Sequence, residues 1–192
     1  MMRIGIILGS TRPNRLGEQV AHWVLDLAAR RSDAVFELLD LREHALPQLD
    51  EEVPPVVGQY QNEHTRNWAG TIAAYDGFVI VTPEYNHSVP GALKNALDYL
   101  YAEWGDKAMG IVSYGSVGGA RAAEQLRQIA GALRMADVRQ QVLFSLMTDF
   151  ENFQTLQPKP FHESALETML DQLLAWSGAL TVLRRETVPV NA

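Results

Sequence analysis

Strand-like and helix-like patterns alternate along the whole of this 192-residue chain. Short apolar runs, such as Ile4–Leu8, are typical of strands that are buried on both faces of a parallel sheet. Between these runs, apolar residues recur at helical spacing, as on the face formed by Leu16, Val20 and Val24. Because parallel strands are joined through intervening helices, the alternation predicts an α/β fold with helices on both faces of one sheet.

Five apolar runs predict five strands. They are Ile4–Leu8, Val35–Leu39, Gly77–Thr82, Ala108–Tyr114 and Gln140–Phe144. The Leu41–Gln61 stretch carries three prolines and a glycine and is therefore predicted to be a loop. The stretch from Ser145 to Phe161 is predicted to be irregular. No repeat or linker interrupts the pattern, so we expect a single domain over residues 1–192.

The composition argues against several classes of function. The chain has no cysteine, which excludes disulfides, a thiol nucleophile and cysteine-ligated metals. Its formal net charge of −7 argues against a nucleic-acid partner. No run approaches the roughly 18 apolar residues of a membrane span, and the N-terminus lacks the layout of a signal peptide. The five histidines are scattered without metal-ligand spacing. We therefore expect a cytoplasmic protein with no membrane partner and no metal site.

The loop after the first predicted strand has the character of an anion site. Residues 9–17 combine small residues, two hydroxyls and two arginines at a predicted helix N-terminus. Backbone N–H groups and the helix dipole favour an anion there, and guanidinium groups add charge-assisted hydrogen bonds. The loop contains neither a Walker motif nor the G-x-G-x-x-G dinucleotide fingerprint. The sequence therefore predicts binding of a mononucleotide phosphate.

Two further loops follow the third and fourth predicted strands. Residues 83–91 form a proline-bounded loop whose backbone can pair with the edge of a flat heterocycle, with the Tyr85 ring beside it. Residues 113–119 contain three glycines, which let the backbone approach a ligand closely. Ligands of such sheets bind beyond the carboxyl ends of the strands. We therefore expect the three loops to enclose one site.

The same residues bear on two other functions. Ser116 follows a strand and precedes a helix, as the nucleophile of a serine hydrolase would. However, Tyr114 occupies the first glycine position of G-x-S-x-G, and the one downstream histidine, His162, lies in the irregular stretch. A hydrolase is therefore disfavoured. A regulatory protein that only binds a nucleotide remains open on sequence alone.

Three segments, GSTRPNRLGEQVA, TPEYNHSVPGALKNALDYL and VSYGSVGGARAAEQLR, resemble the NADPH-dependent FMN reductase family. The resemblance extends from Met2 to about Leu180. It implies a flavodoxin-like three-layer fold with a five-stranded parallel sheet in the order 2-1-3-4-5. It also implies one FMN per subunit in a homodimer or homotetramer, with flavin sites near the subunit interface.

The resemblance assigns roles to residues of all three loops. The FMN phosphate is expected on Ser10, Arg12, Arg15 and the amides of Leu16 and Gly17. Pro83, Glu84, Tyr85 and Asn86 are expected to line the isoalloxazine, and Ser113, Tyr114, Gly115 and Gly118 to close its other edge. Many family members have serine and asparagine where this chain has Arg15 and Gly17.

The implied activity is electron transfer from NADPH or NADH, through FMN, to a small acceptor by a ping-pong mechanism. Acceptors that suit an open flavin face include quinones, free flavin, azo compounds and metal oxyanions. Because the chemistry belongs to the flavin, no acid, base or nucleophile of the protein is expected to be catalytic. The alternative is a non-catalytic electron carrier of the flavodoxin type, although the usual threonine- and serine-rich phosphate loop of such carriers is absent.

Overall fold

The computed structural model describes residues 1–186. Its centre is a parallel sheet of five strands, and the strand order is β2-β1-β3-β4-β5. The strands are β1 (Met2–Leu8), β2 (Ala34–Asp40), β3 (Gly77–Pro83), β4 (Ala108–Gly115) and β5 (Ala136–Ser145). This topology confirms the predicted fold class and the strand order that the resemblance implied.

Helices cover both faces of the sheet. They are α1 (Gly17–Ala28), α2 (Leu41–His44), α3 (Glu63–Ala73), α4 (Gly91–Asp98), α5 (Ala120–Ala132) and α6 (Pro160–Glu186). Alternate strand residues point to opposite faces, so Ile6 packs with α1 and α6 while Ile7 packs with α3, α4 and α5. Both residues are fully buried, which explains why β1 reads as an unbroken apolar run. No helix within residues 1–186 has the length and apolarity that a bilayer crossing requires.

Strand β5 is longer than its predicted extent. It begins at Ala136 rather than Gln140, because the first half of this edge strand carries polar residues that interrupt the apolar run. One of them, Asp137, forms an ion pair with Arg127 of α5. An edge strand is covered less completely than a central one, so it does not need apolar residues on both faces.

Two predicted loops contain short elements. The Leu41–Gln61 stretch, predicted to be entirely loop, holds the one-turn helix α2 and a 3₁₀ turn at Pro55–Val57. Helix α2 forms because Asp40 caps it, accepting a hydrogen bond of 3.0 Å from the Arg42 amide. The predicted irregular stretch contains a hairpin of β6 (Phe150–Glu151) and β7 (Thr155–Leu156). Elements this short lie below the length at which periodicity can be read.

A buried lysine directly precedes β4, at the amino ends of the strands and so on the side of the sheet opposite the three loops. The Lys107 side chain is 4% exposed, and its Nζ donates a 2.7 Å hydrogen bond to the Ile72 carbonyl. Burial, assisted by the nearby Arg184, lowers the Lys107 pKa to about 8. Between pH 8 and the ordinary lysine value of 10.5, the unfolded chain therefore binds more protons than the folded one. Stability from this group consequently rises with pH.

We expect wild type to gain about 2 kcal/mol relative to Lys107→Met between pH 7.5 and 10. Urea unfolding of both proteins across this range measures the difference. Lys94→Met is the matched control, because the Lys94 side chain is 45% exposed and pairs with Asp98 at the surface. A pH-independent difference for Lys107→Met would contradict the prediction.

Candidate functional site

The carboxyl ends of β1, β3 and β4 bring the three loops to one edge of the sheet. Leu8 lies beside Val81, and Pro83 beside Tyr114 in the parallel register. A cleft of about 110 Å³ is lined from all three loops and from the segment after β5. Its lining residues are Arg12, Arg15, Leu16, Pro83, Glu84, Tyr85, Tyr114, Gly115 and Leu146. The structure thus brings together most of the residues predicted from sequence, and adds Leu146.

Ser10 joins the first loop to the second. It is fully buried, and its Oγ shares a 3.0 Å hydrogen bond with the Tyr85 hydroxyl. The Arg12 amide also donates to Ser10 Oγ, at 3.4 Å. The hydroxyl of Ser10 therefore lies inside the site, at the junction of two loops.

The two arginines of the first loop have different environments. Arg15 is 5% exposed and pairs in bidentate fashion with the Asp40 carboxylate, with Nη1 2.7 Å from Asp40 Oδ1. Its Nε has no hydrogen-bond partner among the described side chains, and it lies 3.7 Å from Glu18 Oε2, which is within ion-pair distance but too far for a hydrogen bond. Arg12 is exposed, and its guanidinium makes no ion pair with the described part of the chain. The loop therefore offers one exposed cation and one buried, unused N–H.

Asp40 was absent from the sequence-based set of site residues. Burial raises the pKa of Asp40, but the hydrogen bonds from Arg15 and from the Arg42 amide lower it by a larger amount. The net pKa is therefore below the ordinary value for an aspartate. The carboxylate is therefore ionised at neutral pH and compensates the charge of Arg15. A signal was present in the sequence, because an aspartate directly after a predicted strand of such a sheet lies at the edge where ligands bind.

Gly17 and Tyr114 are matched in size. A Cβ added at Gly17 would lie 2.5 Å from the Tyr114 hydroxyl oxygen, so no larger residue fits while the tyrosine is present. Tyr114 is 5% exposed, and burial raises its pKa above the usual tyrosine range. Its hydroxyl is therefore neutral and faces the backbone of Gly17 at the start of α1. Leu16 is half-buried and immediately precedes this helix.

Glu84 connects the second loop to the third. Its carboxylate, 6% exposed, accepts hydrogen bonds from the Arg121 amide at 3.0 Å and from Arg121 Nε at 2.7 Å. Burial raises the Glu84 pKa, but Arg121 and the first-turn amides of α5 outweigh it and lower the pKa overall. The Glu84 side chain therefore caps α5 although it belongs to a different loop. In addition, the Glu84 amide donates a hydrogen bond to the Tyr114 carbonyl at 3.0 Å.

Arg121 and His87 were missed by sequence reasoning. Arg121 Nη1 donates to His87 Nε2 at 2.8 Å, so the arginine bridges two residues of the second loop. The signal that could have found Arg121 is a cation in the first turn of a helix, two residues after a glycine pair. Its partner on another loop has no signature in a single sequence.

Tyr85 and Asn86 lie at the rim of the site. The Tyr85 amide donates to the Ser88 carbonyl at 2.9 Å and the reverse bond is 3.0 Å, which closes a tight two-residue turn. Asn86 and His87 occupy that turn with left-handed φ values of 50° and 68°. Tyr85 is 37% exposed, so part of its ring remains open to solvent. Pro83 is buried at the end of β3.

The third loop is fixed from behind by Ser113. The buried Ser113 Oγ donates to the Gly118 carbonyl at 2.8 Å, and the Gly118 amide donates to the Gly115 carbonyl at 3.1 Å. Gly118 and Gly119 both have a φ of 74°, a conformation that favours glycine. The Gly115 carbonyl also accepts from the Leu146 amide at 2.9 Å. The loop is therefore rigid, and its amides lie at the N-terminus of α5.

The β6–β7 hairpin forms one wall of a second cleft of about 570 Å³, which adjoins the first at Arg12 and Arg15. Gln19 of α1 holds the hairpin: its Nε2 donates to the Gln154 carbonyl at 2.7 Å, and its Oε1 accepts from the Leu156 amide at 3.0 Å. Phe153 at the hairpin tip is 59% exposed with a φ of 57°.

The donor set of the first loop suits an oxygen-rich anion. A buried unused N–H, an exposed guanidinium, a buried hydroxyl and a helix N-terminus are the groups that bind phosphate monoesters. Within residues 1–186, no three His, Asp or Glu side chains lie close enough together to hold a metal ion. The geometry therefore supports anion binding beside a flat, partly aromatic rim.

Comparison with protein families gives a match over residues 2–149 to the family model described as NADPH-dependent FMN reductase. An NAD(P)H-dependent FMN reductase of Schizosaccharomyces pombe is 45% identical over 135 residues, which cover 69% of this chain and 68% of the relative. A 2-hydroxy-1,4-benzoquinone reductase of a Burkholderia species is 30% identical over 189 residues, covering 91% of this chain and 96% of the relative.

Among solved structures, a flavoenzyme NAD(P)H:(acceptor) oxidoreductase from Paracoccus denitrificans superposes with a TM-score of 0.72. It is 19% identical, and the alignment covers 93% of this chain and 98% of that one. At this level of identity the likeness concerns the fold.

Proposed function

The chain belongs to the NADPH-dependent FMN reductase family, and from that premise we propose that it passes electrons from a reduced nicotinamide through FMN to a quinone-like acceptor. As a family member it is an NAD(P)H-dependent oxidoreductase with FMN as its cofactor. The observation that carries the proposal is the buried Arg15 Nε, which has no hydrogen-bond partner among the described residues, beside the exposed Arg12 at the point where three loops converge.

We propose that the FMN phosphate is held by the first loop. Ser10 Oγ, the Arg12 guanidinium, Arg15 Nε and the amides of Leu16 and Gly17 supply donors of the kinds that phosphate accepts. Arg15 contributes through Nε, because Asp40 and the Ser10 carbonyl occupy its terminal nitrogens. The proposal therefore gives the main uncompensated charge to Arg12.

We propose that the isoalloxazine lies between the second and third loops. Pro83, Tyr85 and Asn86 bound one side, and the Glu84 backbone is held there by its carboxylate at α5. Tyr114, Gly115 and Gly118 bound the other side, with Ser113 behind them. The amides at the N-terminus of α5 favour negative charge at the nearest ring edge.

Bound FMN would supply the redox chemistry that links a hydride donor to a separate electron acceptor. The chain's own residues bind, orient and tune the ring, and none is assigned as an acid, base or nucleophile. If the nicotinamide and the acceptor bind in turn at the same open face of the flavin, ping-pong kinetics are expected. The Burkholderia relative's name supports a quinone as the acceptor class.

The proposal also covers the organisation of the protein. We propose one FMN-binding domain over residues 1–192, and the family match over residues 2–149 supports the proposal for that part of the chain. We further propose a homodimer or homotetramer in the cytoplasm.

The first experiment is an anaerobic absorbance titration of the FMN-loaded protein with NADPH and, separately, NADH. We expect the oxidised-flavin band to bleach and to return when a benzoquinone is admitted. Parallel double-reciprocal lines in steady-state kinetics are the expected ping-pong signature. If FMN binds but neither nicotinamide reduces it, the flavodoxin-type carrier replaces this proposal. Failure to bind FMN would refute the phosphate assignment.

A further inference from the structure

Three successive carbonyl oxygens of the first loop are held by two arginine side chains. Arg15 Nη1 donates to the Ser10 carbonyl at 2.7 Å, and Arg42 Nε donates to the Thr11 carbonyl at 3.2 Å. Arg42 Nη2 donates to the Arg12 carbonyl. A carbonyl oxygen facing a phosphate repels it, whereas an amide N–H attracts it. The hydrogen bonds from the guanidinium groups direct these carbonyl oxygens toward the arginines and away from a phosphate.

Asp40 organises both arginines. It is the last residue of β2, and its carboxylate binds Arg15 through both oxygens. The same carboxylate accepts the Arg42 amide at 3.0 Å and so starts the helical turn that carries Arg42. One side chain on a neighbouring strand thereby sets the position of two cations that grip the loop.

We propose that Asp40 and Arg42 are positioning residues for FMN, which set the orientation of the phosphate loop without contacting the reacting ring. The inference rests on the proposed FMN site and goes beyond it, because neither residue belongs to the phosphate-binding set. It also gives Arg15 a defined role in the loop. Here the arginine is anchored by Asp40, fastens the loop backbone and leaves Nε for the ligand.

The test compares binding of FMN and riboflavin, which differ by the phosphate, to flavin-free protein. Asp40→Asn is expected to weaken FMN binding about 10-fold or more, because the amide lacks the charge that holds Arg15 and the Arg42 amide in place. Riboflavin binding is expected to change less than about threefold. Flavin fluorescence quenching gives both dissociation constants, so the readout is independent of turnover.

Arg42→Gln is the second variant, because it removes the grip on two carbonyls and leaves the Arg15–Asp40 pair in place. It is expected to show the same phosphate-selective loss even if Asp40→Asn folds poorly. Asp137→Asn is the matched control: this carboxylate also pairs with an arginine, Arg127, but on the opposite edge strand. It is expected to leave both affinities unchanged.

Equal losses of FMN and riboflavin affinity in the Asp40 and Arg42 variants would overturn the inference, because they indicate general damage to the fold. Unchanged FMN affinity in both variants would overturn it while leaving the proposed function standing. Absence of FMN binding by the wild-type protein would remove the proposed function itself, and the inference with it.

Discussion

Replacing Gly119 by alanine is expected to destabilise the protein by about 3 kcal/mol and to weaken flavin binding strongly. Gly119 has a φ of 74°, which costs an alanine roughly 1 kcal/mol. The added Cβ would also lie 2.8 Å from the Tyr114 nitrogen and 3.0 Å from its carbonyl oxygen. These are backbone atoms of β4, which cannot yield without disturbing the sheet.

Gly131→Ala, in the helix that follows Gly119, is the matched control. A Cβ there meets nothing within 4 Å, so the variant is expected to gain about 0.5–1 kcal/mol from helix propensity. Urea unfolding of the two variants measures the contrast, and FMN titration measures the site. If Gly119→Ala unfolds at the same urea concentration as wild type, the argued close approach of the third loop to β4 is wrong.

Replacing Glu84 by alanine is expected to cost about 2 kcal/mol of stability. The substitution removes the buried acceptor of the Arg121 side chain and of two amides at the start of α5. The cost stays below that of a fully buried ion pair because the Arg121 side chain is 42% exposed and can be solvated. FMN affinity is expected to fall too, since Glu84 links the second loop to the third.

Glu124→Ala on α5 is the control, because this side chain is 69% exposed and lies 3.6 Å from Arg127 Nε. The pH dependence gives an independent check with Glu84→Gln. Because the folded pKa of Glu84 is lowered, its contribution is present above the ordinary value of 4.5 and is lost as pH falls through the folded pKa. Wild type and Glu84→Gln should therefore converge in stability in acid. A constant gap between them would contradict the role assigned to the carboxylate.

The central sheet was predictable because strands buried on both faces must be continuously apolar. β1 and β3 satisfy that condition, whereas the edge strand β5 does not, and only its second half was predicted. The three site loops were predictable for a related reason: the carboxyl ends of parallel strands converge wherever the sheet forms.

The pairing of charges within the site was not predictable. Arg15 was expected at the FMN phosphate and Glu84 at the isoalloxazine. Their charges are compensated by Asp40 and Arg121, which are 25 and 37 residues away along the chain. Nothing in a sequence pattern selects one distant partner among many carboxylates and arginines. The need for glycine at position 17 was not predictable either, because the Tyr114 hydroxyl that requires it lies on a distant strand.

The neutralisation of Arg15 by Asp40 bears on the order of folding and cofactor binding. The buried cation is balanced from within the chain, so the folded loop needs no cofactor to compensate its interior charge. The polypeptide can therefore complete its folding first and load flavin afterwards. Cofactor binding would then add to a stability that the ion pair has already provided.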